Sequence, residues 1–227
     1  MISIIQPSRS RPSKAYSTWQ SWFINRSIEG SDWILSLDED DPSPYEAHFD
    51  TTPIRIIRNK NRSAVDAINN AAKLAKYDIL MVVSDDTGVG YSGWDYKIIE
   101  AADCKTDWLL KTDDGIQDYI VTMTVMDRKY YERDGFIYHP DFFHQFADTY
   151  LTCLADIRGR LIKSDLKFPH NHYSKFAEFP DELHKRNDAS WKEGQNTFVR
   201  LMKQFTPEER ARIKDPNMRG FLRKFGL

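Results

Sequence analysis

The run Ile79-Leu80-Met81-Val82-Val83 contains no polar residue and stops abruptly at Ser84-Asp85-Asp86. A stretch this short and this continuous suits a strand covered on both faces, as at the centre of a parallel sheet sandwiched by helices. Such a strand needs neighbours, and the upstream chain supplies them. Residues 2–6 form a short apolar run that ends at Pro7-Ser8-Arg9-Ser10-Arg11-Pro12, and residues 33–37 form a second that breaks into Asp38-Glu39-Asp40-Asp41-Pro42. Residues 54–57 are a third strand candidate. Between them, Tyr16, Trp19, Trp22 and Phe23 recur at helical spacing behind Ser13, a candidate N-cap, and Ala64, Ala67, Ile68, Ala71, Ala72 and Ala75 mark an amphipathic helix behind Ser63. Strands alternating with helices imply a parallel sheet, which binds ligands at the carboxyl ends of its strands. The charged loops lie at that edge.

Further on, residues 108–110 and 119–126 read as strands, the second alternating with one half-exposed face. Residues 127–133 suggest a short helix before Gly135, residues 142–158 a longer one, residues 160–168 a strand, and residues 181–205 a mostly polar helical stretch. In 227 residues, 41% hydrophobic and 13% aromatic, there is enough apolar material for one large α/β domain. We divide it into a domain over 1–180 and a helical extension over 181–227, packed on it or appended to it. A net charge of −2 argues against nucleic acid as the main partner. Cys104 and Cys153 form no CxxC pattern and are expected to be free or buried thiols. No signal-peptide core follows Met1 and no run of 18 apolar residues occurs, so a cytoplasmic location is expected. Residues 200–227 carry eight Lys or Arg against three acids, interleaved with apolar residues. They could contact an anionic membrane peripherally, or form a helix packed on the core.

Each charged loop offers chemistry. A carboxylate pair at the end of a buried strand, Asp85-Asp86, can hold a hard divalent cation with positions open for diphosphate oxygens; the same residues also suit a solvated turn. In His170-Asn171-His172, extended backbone puts both imidazoles on one side. His170 and His172 could add nitrogen to the oxygens of Asp86, a set suited to Mn²⁺ or Mg²⁺, although paired histidines also occur on ordinary surfaces. Asp148, among Phe143, Phe146 and Tyr150, reads either as a general base of raised pKa or as a carboxylate favoured by a helix N-terminus. Asp38, Asp40 and Asp41 could accept hydrogen bonds from a nucleoside, or simply make a solvated turn. Arg9, Arg11, Arg58 and Arg62 lie near the same edge and could meet phosphate oxygens.

Taken in chain order, these pieces resemble the family 2 glycosyltransferases. Pro7-Ser8-Arg9-Ser10-Arg11-Pro12 looks like that family's Pro-Thr-Arg-Asn-Arg-Pro opening, and Asp38 matches the acidic end of its second strand. Residues 59–69, with Ala64 and Asn69, resemble the stretch before its DXD motif. Ser84-Asp85-Asp86 stands where the DXD is expected, with Asp86 as its last acid. Gly93-Trp94-Asp95 is similar to the opening of the next helix, and Asp148 takes the place of the late catalytic acid. The likeness spans residues 2–175. Ser84 replaces the first Asp of a strict DXD, Ala147 stands where a Glu precedes the catalytic acid, and the glycines usual before the DXD are missing.

The resemblance implies a GT-A fold, an α/β domain with a mixed, mostly parallel sheet flanked by helices. It implies a nucleotide-sugar donor, most often a UDP-sugar, held by Pro7, Ser8, Arg9, Asp38, Asp40, Arg62 and Asp85. Mn²⁺ or Mg²⁺ on Asp86 with His170 or His172 would neutralise the departing diphosphate. Asp148 would deprotonate an acceptor hydroxyl on a glycan, a lipid-linked acceptor or a protein, so the product would be inverted. Asp113, Asp114 and the Tyr130-Tyr131 pair are expected on the acceptor side. A sugar-phosphate nucleotidyltransferase would need a Gly-rich first loop where Pro-Ser-Arg-Ser-Arg-Pro stands. A catalytically silent domain of the same fold remains a rival, whereas an NAD enzyme fails for want of GxGxxG after the first strand.

Overall fold

A computed structural model describes residues 1–171 and 181–227. Strand β1 (Ile2–Ser8) is buried along almost its whole length and pairs in parallel with β2 (Asp32–Asp38) on one side and β4 (Ile79–Val82) on the other. Strand β3 (Ile54–Asn59) joins in parallel outside β2. The direction then reverses. Strand β6 (Val125–Asp127) is antiparallel to both β4 and β5 (Leu109–Asp113), and β7 (Leu161–Lys167) pairs in parallel with β5. Among the described residues the sheet has seven strands, in the order β3-β2-β1-β4-β6-β5-β7. It is the mixed, mostly parallel sheet that the resemblance implied, and the alternation of strands and helices accounts for its parallel part.

Helices cover both faces. On one, α1 (Pro12–Ile24) and α4 (Trp94–Ala102) bring Trp22 and Trp94 into an edge-to-face contact at 4.9 Å, with Phe168 stacked on Trp22 at 5.3 Å. The short α2 (Glu46–Phe49) closes this layer with Phe49. On the other face lie α3 (Ala64–Ala72), α5 (Arg128–Asp134) and α6 (Ala147–Ile157). Ser63 caps α3 by accepting from Asp66 N, as its position before the apolar stripe implied. Asp127 caps α5, and Gly135 ends it at φ 74, a left-handed conformation that favours glycine. Gly93 opens α4 at φ 71, where a Cβ would come within 2.8 Å of Ser27 Oγ.

Several local expectations change in three dimensions. Ser13 is not a cap: Pro12 takes the first turn of α1, where its fixed φ suits a helix start, and Arg11 is the N-cap without a side-chain bond. Of residues 119–126 only the last two join a strand, because Val121 N donates to Thr152 Oγ1 on α6 instead of to a sheet neighbour. The alternation there is buried on both sides, with Ile120, Val121, Met123 and Thr124 all enclosed. Helix α6 starts at Ala147, not near residue 142, since Phe146 sits at φ 70. The aromatic spacing before it serves ring packing instead, Phe142 lying 5.7 Å from Tyr150. Tyr130 and Tyr131, on α5, are buried in the core and do not line the cavity described below.

The C-terminal helices α7 (Glu182–Asp188), α8 (Trp191–Met202), α9 (Pro207–Arg210) and α10 (Pro216–Arg223) follow. Phe198, Leu201, Met202, Ile213, Met218 and Leu222 enter the same buried cluster as α3 and α6, and Phe221, Phe225 and Leu227 pack against it. Residues 200–227 thus pack on the core, with Phe205, Phe221, Phe225 and Leu227 left half-buried. Among the described residues, no helix is long and apolar enough to cross a membrane. Both cysteines are free, Cys104 exposed and Cys153 buried.

This packing makes the C-terminal helices part of the fold's stability. Phe198 is 0% exposed and lies within 6.1 Å of the Phe146, Phe221 and Phe225 rings. Phe198→Ala should lower the unfolding free energy in urea by about 3–5 kcal/mol. A loss below about 1 kcal/mol would mean that the helices do not share the core.

Candidate functional site

At the carboxyl ends of β1, β2 and β4, a cavity of about 460 Å³ opens between the strand loops, the start of α6 and helix α7. Its shape depends on which way two adjacent aspartates point. Asp85 turns inward: Oδ1 accepts from Gln6 Nε2 at 2.8 Å and Oδ2 from Ser8 Oγ at 2.7 Å. Gln6 in turn donates to Ala15 O and accepts from Trp33 Nε1, while Thr18 Oγ1 donates to Asp85 O. One carboxylate thus ties β1, α1, β2 and the end of β4 together. Burial raises its pKa to about 6, against the opposing pull of Ser8 and Gln6. With one donor on each oxygen, Asp85 braces the cavity wall that it lines.

Asp86 points the other way. Ser84 Oγ donates to Asp86 Oδ1 at 2.6 Å, and His170 Nε2 lies 3.3 Å from Oδ2. His170 is held by an isolated bridge to Thr87 and by its N–H donating to Asp114 O. Trp22 Nε1 donates to Thr87 O, locking this loop on α1. The loop also crowds β7: a Cβ on Gly90 would meet Lys167 O at 1.9 Å, so only glycine fits. Burial opposes ionisation of Asp86, but the bond and charge of His170, with Ser84, hold it well below the usual carboxylate range. His170 is raised in return, Asp86 outweighing the effect of its burial.

The remaining residues divide clearly. Asp38 is buried and accepts from Arg9 Nη1 at 2.6 Å and Asn61 Nδ2 at 3.1 Å, with Arg186 at 3.6 Å. Asp148 lines the cavity from the first turn of α6, and both hydrogen bonds to its carboxylate, from Thr149 N and Oγ1, fall on Oδ1. Burial raises its pKa. Pro7, Ser8, Arg9, Asp38, Asp85, Asp86, Asp148 and His170 therefore share one cavity. Two others do not line it. Asp40 is exposed and clamps Arg9 from outside through two bonds of 2.6 and 3.1 Å, and Arg62 pairs with Asp66 at 2.7 Å on α3. Of the residues expected on the acceptor side, Asp114 lines the cavity, whereas Asp113 faces Lys167. His172 lies outside the described residues.

Sequence reasoning missed the wall contributed by α7, where Leu183, His184, Arg186 and Asn187 line the cavity. Arg11 anchors this helix by two bonds to Asp181, 2.7 and 2.6 Å long. Although burial works the other way, that pairing brings Asp181 down to about 2. A polar helix over a hundred residues beyond β1 carries no local mark of this role; only the capping box that Asp181 makes with His184 is legible as a helix start.

Among the described residues, no group of three or more His, Cys, Asp or Glu could hold a metal ion by itself. The pair Asp86 and His170 still fits a hard or borderline cation that takes its remaining ligands from a substrate's phosphate oxygens, the usual arrangement for Mg²⁺-type sites.

No protein-family model matches the sequence, and neither does any curated protein. Solved structures do match. A mannosyltransferase from Pyrobaculum calidifontis, in complex with GDP-Man and Mn²⁺, superposes with a TM-score of 0.62 at 10% identity, over 99% of this chain and 79% of that one. S. aureus TarS 1-349 with UDP-GlcNAc gives 0.66 at 12% identity, over 93% and 69%. Glucosyl-3-phosphoglycerate synthase from Mycobacterium tuberculosis, with Mn²⁺ and UDP-glucose, gives 0.61 at 11%, over 95% and 80%. The chain has a GT-A fold. In a GT-A fold, as in other open α/β sheets, the carboxyl ends of the parallel strands form the ligand crevice, and the cavity here occupies that edge.

The Asp86 and His170 pair makes a pH signature. Asp86 is depressed below 3.8, so its contribution to stability is present above that value and is lost as pH falls through the folded pKa. His170 is raised above 6.5, so its contribution is present below that value and is lost as pH rises through the folded pKa. Without metal, the stability lost in Asp86→Asn should therefore be greatest between pH 3.8 and 6.5 and smaller at pH 8.5. Urea unfolding across that range reads it directly.

Proposed function

We propose that the protein is a metal-dependent glycosyltransferase that moves a sugar from a nucleoside diphosphate donor, with a UDP-sugar favoured, to an acceptor hydroxyl with inversion. The observation that carries this reading is the convergence of Asp38 with Arg9, Asp86 with His170, and Asp148 on one cavity at the carboxyl edge of a GT-A sheet. The three solved proteins of like fold named above were found in complex with UDP- or GDP-sugars.

Each residue then has a task that its surroundings suit. Asp38, fixed by Arg9 and Asn61, accepts hydrogen bonds from the nucleoside against Pro7 and Ser8. Arg9 and Arg11 lie in the same wall and present guanidinium N–H groups for phosphate oxygens. Asp86 and His170 would hold Mn²⁺ or Mg²⁺, which supplies charge neutralisation for the departing diphosphate. The acceptor oxygen forms a bond to the anomeric carbon while the bond from that carbon to the diphosphate oxygen breaks, and the hydroxyl proton passes to the Asp148 carboxylate. The raised pKa of Asp148 makes it a better proton acceptor than a solvated aspartate. Attack opposite the leaving group inverts the anomeric configuration. The acceptor could belong to a glycan, a lipid-linked molecule or a protein.

A nucleotidyltransferase is disfavoured because Pro7-Ser8-Arg9-Ser10-Arg11-Pro12 occupies the position of its Gly-rich loop. A silent nucleotide-binding domain is separated by experiment. Isothermal titration should show UDP binding that strengthens with Mn²⁺, and Asp86→Ala should remove the Mn²⁺-dependent part. Asp148→Asn keeps the shape and should cut turnover by ~10² to 10⁴ with UDP affinity nearly constant. Binding without turnover in the parent would support the silent domain, and an unchanged Asp86→Ala would remove the metal assignment.

A further inference from the structure

The loop joining β5 to β6 carries two buried polar atoms that no partner satisfies among the described residues, Asp114 Oδ2 and Thr122 Oγ1. Both residues line the cavity. Asp114 is only 2% exposed, and its other oxygen already accepts from Ile116 N and Gln117 N at 2.8 and 2.9 Å. The turn is therefore held without Oδ2. The loop belongs to the Asp148 side of the site. Asp114 O accepts from His170 N at 3.0 Å. Val121 N donates to Thr152 Oγ1 at 2.9 Å, and Thr152 Oγ1 donates to Asp148 O at 2.7 Å.

A buried carboxylate oxygen left without a donor is costly, and native proteins rarely keep one without a use. A hydroxyl can donate or accept, so the two atoms together call for a ligand that offers donors to Asp114 and either role to Thr122. An anionic group would be repelled by Asp114, and an apolar one would leave both atoms unsatisfied. The metal of the proposed reaction is already assigned to Asp86 and His170, and among the described residues no group of three or more His, Cys, Asp or Glu could hold a second. Neutral ring hydroxyls satisfy both atoms. We propose that Asp114 and Thr122 form a subsite that hydrogen-bonds the ring hydroxyls of a neutral sugar and selects it over an anionic acceptor. This rests on the glycosyltransferase reading only for the sugar's role, since the transferred sugar and an acceptor sugar present the same chemistry.

The test uses the full chain, Asp114→Asn and Thr122→Val. Asparagine keeps the turn and puts an NH₂ donor where Oδ2 stands, and valine deletes a hydroxyl that has no partner to lose, so neither variant should unfold. In ligand-observed NMR without metal, methyl α-D-glucopyranoside, methyl β-D-glucopyranoside and methyl α-D-mannopyranoside serve as neutral probes and 3-phosphoglycerate as the anionic one. At least one neutral probe should bind the parent better than 3-phosphoglycerate, about tenfold more weakly to Asp114→Asn and several-fold more weakly to Thr122→Val. Titration with UDP, UDP-glucose and GDP-mannose in Mn²⁺ locates the sugar. If the subsite serves the transferred sugar, Asp114→Asn loses the affinity that a nucleotide sugar has beyond its nucleoside diphosphate; if it serves an acceptor, only the methyl glycosides weaken. The proposal is overturned if no sugar in either form binds the parent, if sugars bind all three proteins alike, or if 3-phosphoglycerate alone binds. Sugar binding that responds as expected while UDP fails to bind would remove the donor reading and leave the subsite standing. UDP binding with no sugar response would do the reverse.

Discussion

The site depends on one buried carboxylate. Among the described residues Asp85 has no cation in hydrogen-bond contact; neutral donors from β1 bond to both of its oxygens, and burial holds its pKa near 6. A buried carboxylate is tolerated only where its hydrogen bonds are complete, so Gln6 and Ser8 must stay in register with the end of β4. That requirement fixes where β4 stops against β1 and turns the next residue, Asp86, to the opposite side. With Trp22 bonded to Thr87 O and Trp94 bonded to Trp22 O, the indoles of α1 and α4 hold the same loop from behind. The chemistry-bearing pair thus sits on a scaffold braced by polar and aromatic contacts with little freedom to shift.

The half of the cavity beyond β4 is built differently. After the parallel strands, β6 runs antiparallel, and the segment before it leaves the sheet to bond to α6. This detour brings a loop with unsatisfied polar atoms beside the helix that carries Asp148, whereas the ends of β1 and β2 present Asp38 and the arginines. The two walls differ in chemistry. One is cationic and paired in advance with carboxylates, suited to an anionic nucleotide; the other offers hydrogen-bonding groups suited to neutral hydroxyls. Helix α7, pinned by Arg11 to Asp181, completes the first wall, so a phosphate approaching Arg11 must compete with an existing ion pair.

Much of the fold was legible in the sequence because it is written in local periodicity. Continuous apolar runs became β1, β2 and β4, the alanine stripe became α3 behind its Ser63 cap, and charged residues fell at the strand ends. Failures came where a pattern had two physical explanations. The alternation of residues 119–126 reads as a half-exposed strand, yet both of its faces are covered. The aromatic spacing of residues 142–146 reads as helix but serves ring packing, with Phe146 in a left-handed conformation.

By itself, the sequence determined the sheet's parallel half, the positions of its carboxylates and the order of pieces that resembles the family 2 glycosyltransferases, because period and punctuation are properties of neighbouring residues. Tertiary structure alone decided the rest. Asp85 and Asp86 are adjacent and chemically identical, and only the pairing of β4 with β1 sends one inward to Gln6 and Ser8 and the other outward to His170. Arg9 and Arg62 look alike in sequence, but one is held in the cavity wall and the other pairs with Asp66 on the helix that follows it. The contributions of α7 and of the loop at Asp114 join residues far apart in the chain, and contacts of that range follow from how helices and strands pack, which no short motif encodes.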